Sequence, residues 1–154
     1  MFTPNNKQQQ GFTLVELLIV VIILGILAAV VIPQFNSAAS ESKEAAMASN
    51  LATMRQAVEM YKVQHDDAFP DGDFVGQLTD STDIDGVVGN AGYGPYLRNG
   101  IPNNPVALLA TVEVVAVDPV AGDDTHGWTY NSVTGQIWSD ASGAGPSGTD
   151  YFDL

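Results

Sequence analysis

Gly11-Phe12-Thr13-Leu14-Val15-Glu16-Leu17-Leu18-Ile19-Val20 opens the stretch that decides how this chain is organised. From Phe12 to Ile32 every residue is apolar except Thr13, Glu16 and Gly25. As a helix this 21-residue run reaches about 32 Å, roughly the thickness of bilayer hydrocarbon. A secretory signal has an apolar core of only about 7–15 residues and then a cleavage site. Here the run is longer and leads straight into more helix-forming sequence, so it reads as a single-pass membrane helix. Lys7 precedes it, and the residues beyond it are near neutral and then strongly acidic. The positive-inside tendency places Met1 in the cytoplasm and the acidic part outside.

A plain anchor does not account for Glu16. A carboxylate within a spanning helix is costly, less so near an end. Two readings stand: Glu16 snorkels from a position one turn inside the membrane edge, or it meets a cationic partner within an assembly. Beyond the run, Pro33 lacks an N–H and is expected to bend the helix. The segment from Gly11 to Val20, followed by Pro33, resembles the N-terminus of the type IV pilin and pseudopilin superfamily. Members carry a short polar leader ending in glycine, a phenylalanine that becomes the first mature residue, and a glutamate four residues later. The resemblance implies cleavage between Gly11 and Phe12 by a prepilin peptidase, methylation of the new Phe12 amine, and a helix kink at Pro33. It also implies that Glu16 neutralises the Phe12 amine of a neighbouring subunit in a filament core.

Four segments follow: a leader at 1–11, a transmembrane and assembly helix at 12–33, an amphipathic helix arm at 34–64, and an acidic head at 65–154. In the arm, Met47, Leu51, Met54, Val58 and Tyr61 recur at alternating spacings of 4 and 3, an apolar stripe on one helical face. Its simplest role is core packing against the head. If Phe12–Gln64 is one helix, its 53 residues reach about 80 Å. The formal charge is −13, and the head holds 14 of the 18 acids against the single base Arg98. That balance argues against nucleic acid as a partner, since phosphate needs a basic surface. The head also holds 13 of the 15 glycines and 6 of the 8 prolines, which marks it as rich in loops. Phe74–Thr79 suits a short helix and Thr111–Val117 a strand. Trp128–Tyr130 and Gln136–Trp138 read as a hairpin around the loop 131–135. The expected class is α+β: a pilin-like fold whose long helix packs on a small antiparallel sheet.

Phe69-Pro70, Gly94-Pro95-Tyr96-Leu97-Arg98, Ile101-Pro102-Asn103-Asn104-Pro105 and Gly127-Trp128-Thr129-Tyr130 follow one another in order. This succession is similar to the major pseudopilins (G-type) of type II secretion systems; residues 106–126 have no counterpart in the pattern. Many type IV pilins close the C-terminal loop with a disulfide, and this chain has no cysteine. The resemblance implies calcium in that loop instead. Hard divalent ions take six to eight oxygens, about the material the tail supplies. Asp140 and Asp150 are the chosen ligands, Ser139 and Asp153 assist, and Asp123 with Asp124 forms a second pair. A frayed acidic C-terminus is the competing reading.

No catalytic constellation emerges. His65 and His126 lack ligand-spaced partners and read as surface or turn residues. The serines have no nucleophile-elbow context, and no phosphate-cradling glycine loop occurs. Three functions compete. The first is a pseudopilus subunit that promotes protein export, with other copies of itself, minor pseudopilins, an inner-membrane assembly platform and the prepilin peptidase/methyltransferase as partners. The alternative is a type IV pilin forming a surface fibre for adhesion, motility or DNA uptake. A membrane-anchored binding module is the third, and Glu16 with the Gly11–Phe12 junction disfavours it.

Overall fold

The chain is helical from Leu14 to Gln64, one helix, α1 (Leu14–Gln64), that runs on through Gly25 and Pro33. The computed structural model describes residues 11–90 and 92–154, with backbone alone for 32–36. By its contacts the chain divides into two units, 1–38 and 39–154. In the first, every described side chain of α1 lies exposed. The 34–64 arm therefore straddles the division.

The second unit is built on the apolar stripe. Met47, Leu51, Met54, Val58 and Tyr61 are all buried and form one cluster with Phe74, Leu78, Leu97, Trp128, Tyr130 and Ile137. Burying each large apolar side chain contributes about 1.5–3 kcal/mol, so the stripe is the main reason this half of α1 docks. Asp66 and Asp67 end the helix with left-handed backbone (φ 50° and 65°), a conformation aspartate tolerates better than most residues. A short helix, α2 (Phe74–Thr79), follows. Its cap is Asp73, whose side chain accepts the Gly76 N–H at 2.9 Å, as helix starts prefer.

Three strands complete the unit: β1 (Val112–Val115), β2 (Trp128–Asn131) and β3 (Ile137–Ser139). The β2–β3 hairpin is antiparallel, with Trp128 opposite Ser139 and Tyr130 opposite Ile137. Asn131 builds the connecting turn by accepting the Val133 and Thr134 N–H groups on Oδ1. β1, however, pairs with β2 in parallel, Val112 beside Trp128 and Val115 beside Asn131. The sheet is mixed, not the all-antiparallel one expected. Parallel neighbours need a crossover of about a dozen residues or more, and 116–127 supplies it. The strand is also shorter than the predicted 111–117. A 3-10 turn at Tyr151–Asp153 ends the chain.

Candidate functional site

The N-terminal segment pairs an exposed apolar surface with a single carboxylate. Leu14–Val31 is long and apolar enough to cross a membrane by length and composition, and none of it is buried within the chain. At its start the Thr13 N–H and Oγ1–H donate to Glu16 Oε2 at 2.8 and 2.9 Å. In return the Glu16 N–H donates to Thr13 Oγ1 at 3.2 Å. This is a reciprocal capping box, Thr-x-x-Glu, which satisfies two donors that a helix start leaves without partners. Among the described residues, Oε1 of Glu16 accepts nothing. Gly11 and Phe12 precede the helix in irregular backbone, and Phe12 is 83 % exposed. The leader up to Gln10 lies outside the described residues, and at Pro33 the backbone remains within α1.

In the tail the expected ligands fall into two pairs, one turned inward and one exposed. Asp140 is 3 % exposed and turns its carboxylate inward. Oδ1 accepts the Asp123 N–H at 3.1 Å, and Oδ2 accepts the His126 N–H at 2.7 Å. Ser139 is also buried; its Oγ accepts from Asn104 Nδ2 at 3.0 Å and from the Ala141 N–H at 3.1 Å. Asp150 and Asp153 are exposed, and Asp150 lies in an isolated bridge with Ala144. Among the described residues no three acidic or histidine side chains converge as a metal site. Of the expected ligands, Asp150 and Asp153 line one cavity with residues 120–122 and 141–143, whereas Ser139 and Asp140 do not line it. The latter two face inward to satisfy backbone and side-chain donors.

The second pair is engaged as well. Asp123 accepts the Thr125 N–H and hydroxyl on Oδ1 at 3.0 and 2.6 Å. Asp124 accepts the Ser142 N–H at 2.9 Å on one oxygen and the Ser142 hydroxyl on the other. Hydrogen bonds from the Thr125 side chain and backbone hold Asp123 below the usual carboxylate range. Those from Ser142 do the same for Asp124.

Three structural residues have no signature in the sequence. His65 lies in the turn that ends α1, as expected, but is buried at 1 % exposure: it stacks on Tyr61 with ring centroids 3.7 Å apart. Its Nδ1 meets the Tyr61 carbonyl at 2.8 Å and its Nε2 meets Thr82 Oγ1 at 2.9 Å. Asn104 is fully buried and ties the 102–109 loop to the sheet through the Gly127 carbonyl at 2.7 Å. Arg55 reaches from α1 to the Ile137 carbonyl at 2.9 Å and the Leu154 carbonyl at 3.2 Å.

Residues 6–32 match the prokaryotic N-terminal methylation motif. The chain is 42% identical over 60 residues to the type II secretion system core protein G of Pseudomonas aeruginosa, covering 39% of this chain and 42% of that one. Against the core protein G of Klebsiella pneumoniae it is 26% identical over 136 residues, 80% of this chain and 96% of the relative. The type IV major fimbrial protein FimA of Dichelobacter nodosus is 49% identical over 51 residues, 33% of each chain. The Pseudomonas and Dichelobacter matches thus span less than half of those proteins. No solved structure matches the chain. The chain thus carries the N-terminal methylation motif and is similar to the core protein G of type II secretion systems, in the Klebsiella pneumoniae case over most of its length.

Proposed function

We propose that the protein is a structural, non-catalytic subunit of a type II secretion pseudopilus. The observation that carries this reading is the Leu14–Val31 helix, apolar and unburied within its own chain, with one carboxylate at its start. Such a surface needs a bilayer first and neighbouring copies afterwards. In the membrane stage the chain spans the bacterial inner membrane once, its N-terminus cytoplasmic and its head periplasmic. A prepilin peptidase cuts between Gly11 and Phe12 and methylates the new amine, which stays cationic. In the filament, Glu16 of one copy faces the Phe12 amine of another. Both of its bonds to Thr13 land on Oε2, so Oε1 is available to that cation. Pairing the two charges removes the penalty of burying either alone. Minor pseudopilins and an inner-membrane platform are the remaining partners.

The likeness to core protein G of Klebsiella pneumoniae extends over 80% of the chain, whereas that to FimA stops at a third of it. The head thus supports export over a surface fibre. The deciding experiment deletes the gene in its own host and restores it as wild type or as Glu16→Ala. Export of secreted proteins should fail in the deletion, return with the wild type and stay absent with Glu16→Ala. Intact export combined with loss of surface fibres would establish the pilin alternative.

A further inference from the structure

The two edges of the β1–β2–β3 sheet are finished differently. At the β3 edge the Arg55 guanidinium donates to the Ile137 carbonyl at 2.9 Å. The Tyr151–Asp153 turn contacts the same strand, and its Phe152 ring stacks on Trp138 at 6.0 Å. β1 has no such cover. The Trp128 N–H of β2 donates to the Thr111 carbonyl at 3.1 Å, and the Ser132 N–H donates to the Val115 carbonyl at 3.0 Å. Backbone groups alternate in direction along a strand, so those of Val112 and Val114 point away from β2. Among the described residues nothing donates to these two carbonyls or accepts from these two N–H groups. Val114, and Val117 just past the strand, are exposed.

Free N–H and C=O groups in a row are a template for another strand, and they select an extended peptide over a compact ligand. The charge of the region selects the composition of that peptide. Glu113, between the two open residues, is exposed, and its carboxylate has no partner among the described residues. Asp118 follows the strand, and no lysine or arginine occurs from 99 to 154. An antiparallel arrival that bonds at Val112 and Val114 sets its intervening residue directly opposite Glu113, with Cβ atoms about 4.5–5.5 Å apart. Opposite charges there stabilise the pair, and like charges destabilise it. A second copy of this chain would bring another acidic head to the same place, which disfavours self-pairing along this edge. We infer that the outer edge of β1 is a docking site for an extended, basic segment of a partner protein, added as a further strand with lysine or arginine opposite Glu113. The inference concerns the head alone and does not rest on the export reading.

The test uses isotope-labelled full-length protein in uncharged detergent micelles and a short probe peptide of alternating lysine and valine. Hydrogen exchange followed by NMR should slow at the Val112 and Val114 amides when the peptide is added, and not at the β3 edge. The same peptide N-methylated at its valines, whose amides would meet β1, should give no protection. Nor should a peptide of alternating glutamate and valine. Val114→Pro removes one outward N–H and leaves the bonds to β2, a position where proline is tolerated. It should keep the wild-type Tm and bind the lysine peptide about fivefold more weakly, read at Val112. Glu113→Lys serves if Val114→Pro does not fold, and should turn the preference to the glutamate peptide. No protection by the lysine peptide, equal protection by the N-methylated or glutamate peptide, or unchanged affinity in both variants would overturn the inference. So would protection of the same amides that rises with protein concentration in the absence of peptide, since a second copy would then be the occupant.

Discussion

Replacing Gly127 with alanine tests the packing of β1, β2 and the 102–109 loop at one atom. A Cβ built on Gly127 would stand 2.2 Å from the Leu109 carbonyl oxygen and 2.8 Å from its carbon. Ordinary contact begins near 3.4 Å, so one segment must retreat by about an ångström. Both are backbone, and neither moves alone. The Leu109 carbonyl accepts the Asn104 N–H at 2.8 Å, and the Gly127 N–H donates to Thr111 at 3.0 Å. The Gly127 carbonyl in turn accepts from the buried Asn104 side chain. Leaving one such buried group without a partner costs about 1–3 kcal/mol, and overpacking alone costs a similar amount. The expected loss is about 2–4 kcal/mol, or about 10 °C in Tm. Gly143→Ala is the control: its φ is +85° and nothing lies near its Cβ. It should lose only the torsional penalty of about 1–2 kcal/mol. Urea unfolding followed by tryptophan fluorescence reads both, because Trp128 sits in the core. Gly127→Ala unfolding at the wild-type midpoint would refute the close approach.

Intact-mass measurement of the membrane form should show loss of Met1–Gly11 and gain of one methyl group; a retained leader in assembled filaments would contradict the processing. Glu16→Gln keeps an acceptor for the Thr13 N–H but lacks the charge, so it should insert into membranes normally while filament yield falls. Leu51→Ala, at a fully buried position, should cost about 2–5 kcal/mol in urea unfolding. Asp123 and Asp124 are held below the usual carboxylate range, so they bind protons more readily unfolded than folded. Their contribution is present above the unfolded value, about pH 4. It is lost as pH falls through their lower folded values. An acid titration of Tm should show Asp124→Asn flattening the lower limb of the profile.

Local pattern made much of this fold legible. The 4–3 spacing from Met47 to Tyr61 located the buried face of α1, and Gly135 with Asn131 marked the hairpin turn. What escaped was set by partners distant in sequence. Whether β1 runs parallel or antiparallel to β2 depends on how 116–127 crosses back, and no residue in Val112–Val115 encodes that direction. His65 looked isolated because Thr82, Tyr93 and Tyr96 reach it only after the 80–97 segment folds over the end of α1. Asp140 carried the composition of a metal ligand. Its role is decided by the amides of Asp123 and His126, which composition does not reveal. At the N-terminus the Thr-x-x-Glu spacing is itself a capping signal.

The stripe on α1 also dictates when the head can fold. Its buried partners Phe74, Leu78, Leu97, Trp128, Tyr130 and Ile137 all come later in the chain, the last of them near its end. Arg55 closes on the Ile137 and Leu154 carbonyls, a separation of up to 99 residues. A chain threaded across a membrane with its N-terminus held back would therefore deliver the spine long before the surfaces that cover it. Contacts at such separation form slowly. In a chain so threaded, Met47, Leu51 and Met54 would stand open to any apolar surface nearby until the final strand arrives.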